Sequence, residues 1–135
     1  MGSIMMLKDL TARDLMRTNV ISVSPDEKVA AIDLLMVRKS LGGVPIVENE
    51  RVVGIVTSRD IMISRLRTSI AGMPVESIMT KNPITVGPND SIKKILSLMI
   101  SHGIERIPVT ENTKLVGIVE EQTVLSAIYQ KILAK

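Results

Sequence analysis

Val53-Gly54-Ile55-Val56-Thr57-Ser58-Arg59-Asp60 reads as a buried strand that runs directly into a helix. The β-branched and aliphatic run from Val52 to Val56 suits a strand. Thr57 is a natural N-cap, and Asp60 follows three residues later, the spacing of a capping box. The same turn leaves a hydroxyl, a carboxylate and unpaired backbone N–H groups at one helix N-terminus. Such an end carries partial positive charge and suits an anion such as phosphate. The carboxylate can accept hydrogen bonds from the vicinal hydroxyls of a ribose. Taken alone, the motif has two readings: a cap only, or a cap that also holds a ligand.

The strand half of the motif recurs. An offset of 63 residues carries Val53-Gly54-Ile55-Val56 onto Val116-Gly117-Ile118-Val119, and the register holds without a gap in both directions. Met16 to Pro25 falls on Met79 to Pro88, Leu35-Met36 on Leu98-Met99, and Val44-Pro45-Ile46 on Ile107-Pro108-Val109. The chain is therefore a duplication. Each copy predicts the order β-α-β-β-α. A short strand (20–23) leads to Ser24-Pro25-Asp26-Glu27, read as N-cap, first helical position and capping box; Gly87-Pro88-Asn89-Asp90 is the weaker equivalent. Val29, Ile32, Leu35 and Met36 share one helix face, as do Ile92, Ile95, Leu98 and Met99. Gly42-Gly43 and Gly103 suit the helix exits. Two strands follow (44–47 and 52–56; 107–110 and 115–119), with a tight turn at Glu48-Asn49-Glu50-Arg51 in the first copy. Closing helices are expected over about 58–68 and 121–133, with Ile61, Met62 and Leu66 in the core. A linker is expected at 69–74. Met1-Gly2-Ser3 is left out of the fold reading.

The chain has 135 residues, 45% hydrophobic and 23% charged, which suits one compact unit or two small halves sharing a core. The expected fold class is α/β in the α+β sense, two β-α-β-β-α copies packed about a pseudo-twofold axis with a ligand cleft between them. No apolar run reaches the roughly 18 residues of a membrane span and no signal-peptide layout is visible, so the expectation is cytoplasmic. There is no Cys, and His102 is the only histidine. Thiolate zinc, multi-histidine metal sites and cysteine or histidine-assisted nucleophiles thus lack material. His102 beside Gly103 suits a capping or surface role. Tyr129 is the only aromatic residue, which argues against single-strand nucleic-acid binding by base stacking. The methionines at 36, 62, 79 and 99 read as adaptable core filler. The net charge of +3 says little about partners.

Three motifs occur together: Met-x-x-Asn-(Val/Pro)-Ile-(Ser/Thr)-Val, then hydrophobic-Pro-hydrophobic, then Gly-hydrophobic-hydrophobic-Thr-x-x-Asp. A tandem repeat carrying them resembles a pair of cystathionine-β-synthase (CBS) domains, the Bateman module. The resemblance covers about residues 10–134, with domains at 10–68 and 75–134. It implies a regulatory sensor without catalysis, taking AMP, ADP, ATP or S-adenosylmethionine, and a homodimer forming a disk of four repeats. It implies no catalytic cofactor and no metal. By similarity Asp60 would hold the ribose, and Thr57 with the backbone of Ser58 and Arg59 would face phosphates. Asn19, Val20 and Ile21 would meet the adenine. Arg106, where the first copy has Gly43, would reach phosphate or else form a surface salt bridge. Arg17 stands where the second copy has Thr80. Arg65 and Arg67 either add positive potential or form a solvated helix face.

In the second copy Val119 is followed by Glu120-Glu121-Gln122-Thr123, without the Thr or the Asp. Two carboxylates there suit the helix dipole and repel phosphate, so one competent site per chain is expected. The alternatives are a dimerisation scaffold with a vestigial pocket and a weak nucleic-acid binder.

Overall fold

The computed structural model describes residues 6–132. Met1-Gly2-Ser3 and the expected end of the last helix at Leu133 lie outside them. The chain divides into two compact units, Ile21–Pro83 and residues 6–20 with 84–132. Both are mixed α+β with antiparallel strands, and each has its own apolar core.

In the first unit, helix α2 (Val29–Lys39) precedes strands β1 (Gly43–Glu48) and β2 (Arg51–Thr57), and helix α3 (Ser58–Arg65) follows. β1 and β2 pair antiparallel from Gly43↔Thr57 to Glu48↔Arg51, with a bulge at Ile46/Val47. Asn49 and Glu50 form the two-residue turn with φ of 51° and 66°. Two positive angles match the right-handed twist of the hairpin. Strand β3 (Thr80–Lys81) then adds to β2 at Gly54 and Ile55. The core holds Val29, Ile32, Met36, Ile46, Val56 and Ile61, each 3% exposed or less.

The second unit repeats the plan with helix α4 (Ile92–His102), strands β4 (Arg106–Glu111) and β5 (Lys114–Glu120), and helix α5 (Glu121–Ile132). β4 and β5 pair from Arg106↔Glu120 to Glu111↔Lys114. The short helix α1 (Ala12–Leu15) leads into Arg17, which bridges Ile118 through backbone hydrogen bonds of 2.9 and 3.0 Å. Thus Arg17 meets Ile118 in the register in which Thr80 meets Ile55. The lead-in to each copy packs on the other copy's hairpin. Gly54 and Gly117 make room for this: a Cβ on Gly54 would lie 2.4 Å from the Met79 sulfur, and one on Gly117 2.5 Å from that of Met16.

Several expectations change in detail. Residues 20–23 form no regular strand; Val23 makes only a parallel bridge to Ile46. Ser24–Glu27 is a turn in which the Ser24 hydroxyl donates to Asp26 at 2.6 Å, and α2 starts at Val29. The first α2 donors go instead to the segment read as a linker, Val29 N–H to Met73 O and Ala30 N–H to Ala71 O. That segment is packed, with Ile70 2% exposed. Ser40, not a glycine, ends α2 with φ 54°, while Gly103 ends α4 as expected. His102 lies on the surface at that end, its Nδ1 3.2 Å from the Leu98 carbonyl. Met62 and Leu66 are 59% and 83% exposed, so only Ile61 of the α3 trio enters the core. Met62 lies on the outer face of α3 and Leu66 at its C-cap, where the described residues leave both largely uncovered. Arg65 pairs with Asp33 of α2.

In the second copy Gly87–Asp90 is likewise a turn and not the helix start. The N-cap of α4 is Ser91, whose Oγ accepts from the Lys94 N–H at 3.2 Å. The turn before it is closed by Asp90. Its Oδ2 accepts from the Gly87 N–H at 2.7 Å and its Oδ1 lies 3.2 Å from Lys94 Nζ. The Gly87 N–H, with help from Lys94, holds the carboxyl below its ordinary value of 3.8. A depressed folded-state pKa adds stability above the unfolded value, and that stability is lost as pH falls through the folded one. Asp90→Ala is expected to cost about 0.5–1 kcal/mol at neutral pH, modest because water reaches the carboxylate. Urea midpoints should converge with wild type as pH drops from about 4 towards about 2.

Candidate ligand site

The β2–α3 corner is built from two reciprocal hydrogen bonds. The Thr57 N–H donates to Asp60 Oδ2 at 2.9 Å, and the Asp60 N–H donates to Thr57 Oγ1 at 3.1 Å. Thr57 can cap because its φ and ψ, −116° and 162°, are still those of the strand. The box leaves Asp60 with acceptor capacity, since a carboxylate offers about four lone-pair positions. Both side chains are half-buried, and Ser58 and Arg59 are exposed beside them.

The backbone donors at this end are not equally free. The Ser58 N–H donates to the Gly42 carbonyl at 3.0 Å, so it is already used. Arg59 holds the N2 position, whose N–H has no intrahelical acceptor. An anion at this corner would therefore meet the Arg59 N–H first, with the Arg59 side chain beside it.

The remaining sequence candidates divide between the units. Ile21 begins the unit that contains Asp60, whereas Asn19, Val20 and Arg106 belong to the other. The stretch beside β2 in the Asp60 unit is instead Thr80-Lys81, followed by Asn82, whose N–H donates to the Val53 carbonyl at 3.3 Å. Asn82 is the repeat equivalent of Asn19 and takes φ 48°. The family resemblance assigns Asn19, and not its equivalent Asn82, to the Asp60 motif. No signal in the sequence separates the two options, because both copies offer a glycine opposite a methionine.

At the equivalent corner of the second copy the residues differ and are charged. Arg17 Nη2 lies 2.9 Å from Glu120 Oε1. Arg106 Nε lies 3.7 Å from Glu120 Oε2, and Arg106 Nη1 lies 3.6 Å from Glu105 Oε2. The Arg106 side chain is 19% exposed, and its Nε is buried without a hydrogen-bond partner among the described residues. A cavity of about 280 Å³ lies against Glu105, Arg106, Glu120, Glu121, Gln122 and Leu125. Among the described residues no helix is long and apolar enough to cross a membrane.

Comparison with known proteins agrees with this architecture. The CBS domain family model matches residues 12–66 and 75–130. The CBS domain-containing protein YhcV of Bacillus subtilis is 34% identical over 113 residues, 81% of this chain and 79% of that protein. An inosine-5'-monophosphate dehydrogenase of Korarchaeum cryptofilum is 36% identical over 107 residues, 78% of this chain but only 22% of the enzyme. Among solved structures, CBSX2 in complex with AMP superimposes with a TM-score of 0.79 at 27% identity, covering 89% of this chain and 96% of that one. With both copies matched by the family model, this chain belongs to the CBS domain family.

Proposed function

We propose that the chain is a regulatory module that binds an adenosine ligand (AMP, ADP, ATP or S-adenosylmethionine) at the β2–α3 corner and catalyses nothing itself. The observation that carries this reading is the Thr57–Asp60 box: a half-buried carboxylate with spare acceptors beside a helix N-terminus. Asp60 is assigned to the ribose hydroxyls, and Thr57 with the Arg59 N–H to the phosphates. Ser58 opens the same helix, its N–H already donating to the Gly42 carbonyl. Asn19, Val20 and Ile21 are kept as candidates for the adenine and Arg106 for a phosphate. The AMP complex of CBSX2 supports an adenosine ligand in this fold. Isothermal titration with the four ligands tests the reading, with mass spectrometry of any molecule that co-purifies. Binding of none of them by the folded protein would refute it.

A self-associating role is supported by a separate observation. Met62 on α3 and Leu66 at its C-cap, 59% and 83% exposed, recur at their repeat equivalents as Leu125 and Tyr129 on α5, 51% and 54% exposed. Outward apolar pairs at i and i+4 in both copies suit a second copy of this chain as partner. The expected assembly is a homodimer. Leu66→Glu with Tyr129→Glu should shift it to monomer in light scattering, without lowering the melting temperature. An already monomeric wild type would remove the proposal.

A further inference from the structure

We infer that Glu120 is a built-in anion that occupies the second copy's own anion subsite. The inference extends the reading above, in which the first copy holds the open site. Register makes the comparison residue by residue. Gly43 pairs with Thr57 as Arg106 pairs with Glu120, and Thr80 pairs with Ile55 as Arg17 pairs with Ile118. Where the first copy has Thr80, Thr57 and no side chain at all, the second has Arg17, Glu120 and Arg106.

Both Glu120 oxygens face guanidinium groups, Oε1 that of Arg17 at 2.9 Å and Oε2 that of Arg106 at 3.7 Å. This is the arrangement in which two arginines hold an oxyanion. The Arg17 backbone is pinned by its two bonds to Ile118, so the guanidinium is delivered to Glu120 by the segment that follows α1. The Arg106 Nε, buried without a hydrogen-bond partner among the described residues, shows that the carboxylate fills the subsite imperfectly. Glu105 also faces Arg106, and Glu121 lines the same cavity, so negative charge remains there even without Glu120. Neutralising Glu120 would release Arg17 fully and Arg106 in part. A phosphate-type anion could then take its place.

The test uses the full chain and inorganic pyrophosphate. Glu120→Gln keeps the shape and removes the charge; Glu120→Thr copies the first copy and serves if the glutamine variant fails to fold. Pyrophosphate should bind either variant about tenfold or more tightly than wild type, and adding Arg17→Thr should remove most of the gain. The first copy is unchanged throughout, so a gain seen in a chain that binds no adenosine ligand would keep this inference and remove the reading of Asp60. No gain on neutralising Glu120, or a gain that survives Arg17→Thr, overturns it. So does wild-type pyrophosphate binding that Arg17→Thr abolishes, since Arg17 would then already be open to solution anions.

Discussion

Asp60→Ala is expected to weaken AMP binding by about tenfold or more, while Glu120→Ala leaves it no weaker than wild type. The ribose would lose charge-assisted hydrogen bonds to a half-buried carboxylate, and one such bond corresponds to about 1.5–3 kcal/mol. The same substitution removes the reciprocal cap, since the Thr57 N–H donates to Asp60 Oδ2 at 2.9 Å. Some loss of stability, about 1 kcal/mol, should accompany the loss of affinity. Asp60→Asn separates the two effects. It retains an acceptor for the Thr57 N–H but not the charge, so affinity should fall more than the melting temperature does. Calorimetric titration alongside thermal melts reads both. Both hydrogen bonds of the box run between Thr57 and Asp60, so removing Glu120 deletes neither of them.

Gly54→Val is expected to destabilise the first unit by about 2–3 kcal/mol, the upper range of overpacking. A Cβ at Gly54 would lie 2.4 Å from the Met79 sulfur and 3.0 Å from the Thr80 carbonyl oxygen. The methionine can swing away, but the carbonyl belongs to β3 and can yield only if the strand pairing does. The cost should therefore remain large in Gly54→Val with Met79→Ala. Denaturant unfolding of the single and double variants checks this. A full rescue by Met79→Ala would show that the side chain alone sets the limit. Loosening β3 should also disturb the corner, because Ile55, the partner of Thr80, lies two residues before Thr57.

The parts of this molecule that were legible in its sequence are those set by local chemistry. Thr57 and Asp60 announce a cap through their spacing, and Val29, Ile32 and Met36 announce a buried face through theirs. Each does what its pattern implies. The offset that joins Gly54 to Gly117 similarly exposes the duplication. What the sequence withholds is non-local. Met16 and Met79 are interchangeable as text, so nothing shows that each lead-in crosses to the other copy's glycine. For the same reason the Arg17–Glu120 pair could not be read, although both residues stood out as departures from the repeat. Ser24-Pro25 carries a strong helix-start pattern that does not operate, because residues 71 and 73 supply acceptors for the first turn of α2. Local propensity gives way there to a tertiary partner. Met62 and Leu66 mislead differently: an apolar pair on a short helix reads the same whether it faces a core or another molecule.

The most direct test of the central claim is a crystal structure of the chain grown with AMP. The account predicts a nucleotide whose ribose hydroxyls meet the Asp60 carboxylate, with phosphate beside Thr57 and the Arg59 N–H and with Glu120 still held by Arg17. A nucleotide seated only at Glu120, with the Thr57–Asp60 corner empty, would contradict it.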